Sequence, residues 1–114
     1  MFSVRVDRLS GDQVVIVVDG EIDSDTAPKL STSLHRELEH APAVLILDLT
    51  GVTFLGVAGL HVLDCAVARA DTLSVTVNLV RQDNSPVQSA LRAAAKAGMF
   101  PALRAAEMAS TPSN

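Results

Sequence analysis

The chain has 114 residues and a formal net charge of -4, long enough for one domain whose core needs no disulfide or metal staple. Hydrophobic residues make up 48% but aromatics only 3%, so Ala, Val and Leu must build the core, and stacking platforms for bases or sugars are nearly absent. The acidic balance excludes the basic footprint of a nucleic-acid or anionic-membrane binder, and one cysteine excludes a disulfide framework or multi-cysteine zinc site.

The reducing cytoplasm is the simplest compartment for such a chain. The opening Met1-Phe2-Ser3-Val4-Arg5-Val6-Asp7 lacks the apolar stretch of a signal peptide. Its longest apolar runs, Val14–Val18 and Ala43–Leu47, are five residues each and far too short to span a membrane.

In chain order, Phe2, Val4 and Val6 alternate with Ser3, Arg5 and Asp7, the period of a half-buried strand. Leu9-Ser10-Gly11-Asp12 supplies a turn, and the β-branched run Val14–Val18 predicts a strand covered on both faces. Asp25 or Thr26 can cap a first helix with Pro28 in its first turn, where the missing N–H costs nothing. Ala27, Leu30, Leu34, Leu38 and Ala41 form its apolar stripe, and Pro42 ends it. Ala43–Leu49 then reads as a buried strand.

A second helix is expected from around Val57–Gly59 to about Ala70, with Leu60, Leu63 and Val67 facing the sheet. Leu73, Val75, Val77 and Leu79 alternate with Ser74, Thr76 and Asn78 as a fourth strand. Ser85 can cap a third helix from Pro86 to about Ala97, with Gly98 as its stop signal. The stretch Met99–Met108 reads either as a short edge strand near Ala102–Arg104 or as a short final helix. The expected domain spans 1–109, followed by a small, polar, disordered tail over 110–114. The order β-β-α-β-α-β-α predicts an α/β domain, with a mixed, mostly parallel sheet of four to five strands and helices packed against it.

Few constellations carry chemistry. Gly51-Val52-Thr53-Phe54-Leu55-Gly56 has the glycine spacing of a phosphate-binding loop, but Val57-Ala58 stand where Lys and Ser/Thr are required. The glycines read instead as a tight strand-to-helix turn. His61 and Cys65 share a helix face four residues apart, yet a metal site or a Cys-His nucleophile needs further ligands or an orienting group. Glu21, Asp23, Asp25 and Asp48 sit near strand ends, where acidic residues ordinarily serve as caps and turns.

Four segments then share an order. Val18-Asp19-Gly20-Glu21-Ile22-Asp23-Ser24-Asp25-Thr26-Ala27-Pro28-Lys29-Leu30 resembles a pattern L-x-G-E-L-D-x-x-T-A-P-x-L, and Leu47-Asp48-Leu49-Thr50-Gly51-Val52-Thr53-Phe54 resembles D-L-S-x-V-x-F. Leu55-Gly56-Val57-Ala58-Gly59-Leu60 is similar to I-D-S-S/A-G-L, and Ala97-Gly98-Met99-Phe100-Pro101 to the x-G-L-x-x that follows a third helix. These are the patterns of bacterial STAS domains, specifically anti-sigma factor antagonists. The resemblance covers nearly the whole chain.

It implies a STAS-like fold and a cytoplasmic, non-enzymatic role in transcription regulation without a cofactor or metal. In that family an anti-sigma factor, usually a serine kinase, sequesters a sigma factor. The unphosphorylated antagonist binds the kinase and frees the sigma factor, and phosphorylation of a serine at the start of the second helix abolishes binding. The family's Asp-Ser pair falls here on Gly56-Val57, so Val57 has no hydroxyl to phosphorylate. Thr53, Ser24 and Thr26 are alternative acceptors, each also suited to a strand-end or cap role. The expected partner surface comprises Asp23, Ser24, Asp25, Thr26, Gly56, Val57, Ala58, Gly59 and Leu60, with Cys65 as a candidate redox-sensitive thiol. Two other roles remain compatible with the resemblance: an accessory or scaffold module of a lipid-transport ATPase or stress-sensing assembly, and a small-ligand binder at the same loops.

Overall fold

A computed structural model describes residues 1–9 and 12–109, so Ser10 and Gly11 of the expected turn and the expected tail over 110–114 lie outside the described residues. The elements run β1 (Ser3–Arg8), β2 (Gln13–Ile22), α1 (Ala27–Glu39), β3 (Val44–Leu55), α2 (Val57–Thr72), β4 (Thr76–Val80), α3 (Pro86–Lys96) and α4 (Pro101–Ala109). The strands form one sheet in the order β1-β2-β3-β4. β1 pairs antiparallel with β2, while β2–β3 and β3–β4 are parallel. The mixed, mostly parallel α/β sheet is as expected, with four strands among the described residues.

The sheet is dry on one side only. Val14, Ile16, Val18 and Ile22 of β2 and Leu45, Leu47, Leu49, Val52 and Leu55 of β3 are buried with the helical residues Leu30, Leu34, Leu38, Leu63 and Leu91 in a single core. Their neighbours in the alternation, Val15, Val17, Val44 and Ile46, are half-exposed on the other face. The expectation that Val14–Val18 is covered on both faces is therefore corrected. A continuous β-branched run is also what a strand needs when its open face carries Val for backbone preference rather than burial.

β2 and β3 both run further than their apolar runs suggest. Asp19, Gly20 and Gly51 read locally as turn residues, yet here they sit inside the ladder. Register shifts in the β2–β3 pairing, between Val17 and Asp19 and between Gly20 and Glu21, accommodate them. Gly20 has φ +95°, and a Cβ there would run into the backbone of Met1 and Phe2. Only glycine lets the start of the chain lie so close to β2.

Several element ends differ from the sequence reading for identifiable reasons. Ala41 leaves the apolar stripe of α1 because it adopts φ +46° and is exposed. β4 starts only at Thr76, because Ser74 turns at φ +60° and Val75 N–H still bonds the Ala70 carbonyl at the end of α2 (2.8 Å). The stretch after Gly98 is helix α4, which removes the strand alternative near Ala102–Arg104. Asp64 on α2 accepts a hydrogen bond from Leu103 N–H (2.9 Å), capping the first turn of α4 while Leu103 enters the core.

Two contacts tie the ends of the layers together. Arg8 Nη2, at the end of edge strand β1, lies 2.9 Å from Glu37 Oε1 on the buried face of α1. It is a charge contact at an angle that leaves Oε1 without a directed hydrogen bond. At the other end, Gly59 in the first turn of α2 packs so tightly that a Cβ would come within 2.5 Å of Ile22 Cγ2 and 2.6 Å of Leu55 Cδ1.

Gly59→Ala tests that closeness. Alanine gains about 1 kcal/mol of helix propensity, and overpacking costs about 1–3 kcal/mol. The expected outcome is a net loss of stability in urea titration; a stabilised variant would show that α2 is free to shift.

Candidate functional site

The two segments singled out in sequence meet at the carboxyl end of β2 and β3. Ile22 pairs with Leu55, and Gly56 N–H donates to the Ile22 carbonyl (3.0 Å). The chain thus leaves β2 into the Asp23–Thr26 loop and leaves β3 into α2 side by side.

The first loop is held by its own polar side chains. Asp23 Oδ1 accepts from Asp25 N–H (3.0 Å) and Thr26 N–H (3.0 Å). Thr26 Oγ1 accepts from Asp23 N–H (2.9 Å) and donates to the Glu21 carbonyl (2.8 Å). Thr26 occupies the N-cap of α1 in helical geometry without a side-chain cap bond. Asp23, two residues before Asp25 and three before Thr26, does the orienting. The Thr26 hydroxyl is committed to closing this loop, whereas Ser24 is exposed.

The Thr26 N–H is the main influence holding the Asp23 carboxyl below the usual carboxylate range, working against a smaller effect of burial, with the Thr26 hydroxyl and Asp25 N–H adding to it. Hydrogen bonds to the charged form outweigh its desolvation here.

The second loop presents apolar surface. Gly56 is the N-cap of α2 with extended backbone and no side-chain cap, and the first turn carries no acidic residue. Val57 is 67% exposed and Phe54 49% exposed. The Phe54 ring lies over Gly56, where a Cβ would come within 3.0 Å of Phe54 Cε2. Ala58 is half-buried, while Gly59 and Leu60 face the core. Of the nine expected surface residues, these last two support the surface from beneath.

Phe54 is the residue that sequence reading missed. It stands on the open face of β3, opposite exposed Glu21. The available signal was an aromatic at a solvent-facing position of the alternation, in a chain with only three Phe. Thr53 is exposed beside it.

His61 and Cys65 lie one and two turns beyond Val57, on the same exposed side of α2. Cys65 Sγ is 3.7 Å from His61 Nε2. Both are solvent-facing, so nothing there excludes water or orients the imidazole as a nucleophile's base requires. Among the described residues, no group of three or more His, Cys, Asp or Glu side chains could hold a metal ion. Also among them, no helix is long and apolar enough to cross a membrane.

The family model described as STAS domain matches residues 4–106. Among solved structures, the chain is similar to an anti-sigma factor antagonist from Mycobacterium paratuberculosis, at 24% identity and TM-score 0.73, covering 98% of this chain and 96% of that one. It is also similar to an antisigma-factor antagonist STAS domain from Rhodobacter sphaeroides, at 18% identity and TM-score 0.59, covering 69% and 85%. The phosphorylated form of the Bacillus cell fate determinant SpoIIAA matches at 14% identity and TM-score 0.65, covering 87% and 86%. At these identities the likeness is one of fold.

The Asp23 geometry has a pH signature. Its folded carboxyl holds a proton more weakly than in the unfolded chain, so its contribution is present above the unfolded pKa and is lost as pH falls through the lower folded value. Asp23→Ala is expected to lower the unfolding midpoint at neutral pH. It is also expected to flatten the fall in stability below about pH 4, read by urea titration at a series of pH values.

Proposed function

Because the chain belongs to the STAS domain family, we propose that it acts as an anti-sigma factor antagonist. In this reading it binds an anti-sigma factor of the serine-kinase type in the bacterial cytoplasm and so releases the sigma factor held there. It does so as a binding protein without catalysis of its own.

The observation that carries the reading is Val57. It stands, two-thirds exposed, at the start of α2 beside an exposed Phe54 and the braced Asp23–Thr26 loop. Burying such a side chain in a partner is worth roughly 1–2 kcal/mol, and the side chain itself carries no charge to desolvate. Exposed apolar anchors next to a polar rim are the composition of a protein-binding surface. Where the family has its phosphorylatable serine, this chain has a hydrocarbon, so its binding is not switched by phosphate at that position. The commitment of the Thr26 hydroxyl to the Glu21 carbonyl argues against that side chain as a substitute acceptor.

A pull-down with the full chain, followed by calorimetry against the captured kinase-type anti-sigma factor, tests the proposal. Val57→Glu places a charge in the interface and is expected to weaken binding about 100-fold, about 3 kcal/mol. Val57→Ser is expected to keep binding and to make it sensitive to ATP through phosphorylation of the introduced hydroxyl. Undiminished binding by Val57→Glu, or capture of a transport ATPase instead, would overturn the reading. Stoichiometric phosphate on Thr53, Ser24 or Thr26 in the wild-type complex would overturn its constitutive character.

A further inference from the structure

The two edges of the sheet are built differently. β1 carries Arg5, Asp7 and Arg8 along six residues, the charged composition that keeps an edge from pairing with other chains. β4, Thr76-Val77-Asn78-Leu79-Val80, carries no charge and no proline. Beside it runs a groove of about 570 Å³, lined by Val75, Thr76, Val77 and Asn78 and walled by Ala70 and Asp71 of α2 and Ala105 of α4. Consecutive strand residues line it, so it follows the edge of β4 and not one face.

Thr76 N–H bonds the Ala43 carbonyl of the chain leading into β3 (3.0 Å). In a parallel ladder this turns the backbone groups of alternate residues toward β3 and those of Val77 and Leu79 outward. Arg81 Nη1 closes the far end by bonding the Leu79 carbonyl (3.0 Å). The outward groups are therefore Val77 N–H and C=O and Leu79 N–H.

We propose that this edge is a strand-addition site for an extended peptide segment of a partner protein. The peptide hydrogen-bonds to Val77 and Leu79 and places small apolar side chains, at every second position, against the alanines of α2 and α4. Among the described residues, Asp71 is the one charged residue lining the groove, so the peptide carries a Lys or Arg at the end that lies over it. A second copy fits this edge poorly. Pairing β4 with β4 about a two-fold axis would bring both α4 helices onto the same face, into the strip that serves one strand's side chains. The site lies along the β4 edge, whereas Val57 follows the central strand β3, and it is independent of the anti-sigma reading.

A phage-displayed library of random linear nonapeptides, panned on the full chain, tests the proposal. The expected enrichment is for apolar residues alternating with polar ones and a basic residue at one end. Selected peptides should shift the backbone amide resonances of Val77 and Leu79. They should lose about ten-fold or more in affinity when N-methylated on the edge facing β4. Ala105→Trp fills the groove from an exposed position and should abolish binding with an unchanged melting curve. Asp71→Lys should turn the charge preference acidic, and Val57→Glu should leave peptide binding unchanged. The proposal is overturned if no sequence pattern is enriched, or if the peptides bind Ala105→Trp equally well. It is also overturned if sedimentation shows a wild-type dimer that Ala105→Trp makes monomeric.

Discussion

The closeness of α2 to the ends of β2 and β3 determines where everything at the functional end of this domain can be. Gly59 sits against Ile22 and Leu55 with no room for a methyl group, and Gly56 N–H is bonded to the Ile22 carbonyl. Together they fix the height at which the helix starts and the direction in which Val57 points. Held in, the helix uses Gly59 and Leu60 for packing and leaves Val57 projecting. The projection of that side chain is thus a by-product of how tightly its neighbours are packed.

The one-sided sheet imposes a second constraint. All of the deep burial is on the helical face, so the other face is left with half-exposed valines and an isoleucine. The chain surrounds them with polar positions, Arg5 and Asp7 of β1 and Thr76 and Asn78 of β4. Such an arrangement keeps apolar side chains present for strand preference while limiting the size of any continuous patch. It also places Phe54, on that open side, in contact with water next to the helix start.

Much of this was legible in the residues. Period-two alternation located β1, and Pro28, Pro42, Ser85 and Gly98 bracketed α1 and α3, because those residues act through local backbone geometry. Ser85 Oγ does accept from Gln88 N–H, as a cap should. What escaped was set by tertiary contacts. The extensions of β2 and β3 run through Asp19, Gly20 and Gly51, whose turn-like character is overridden by pairing. The sidedness of Val14–Val18 cannot be told from composition, since a valine suits both a buried and a half-exposed strand. The final helix depends on Asp64, 39 residues earlier in the chain, which no local window connects. At the site, sequence order placed the two loops together, but the division between exposed Val57 and buried Gly59 and Leu60 needed the packing.

The side chain at Val57 has a consequence for control. In the role proposed here, a family member with a serine at this position can be silenced copy by copy, by a covalent mark. A hydrocarbon admits no such mark. Occupancy of the partner is then governed by mass action alone: the ratio of this chain to its target, and the lifetimes of both. Such a protein works as a titrant. Its response is graded until it becomes equimolar with the target and steep at that point, and the signal it reports is how much of it the cell has chosen to make.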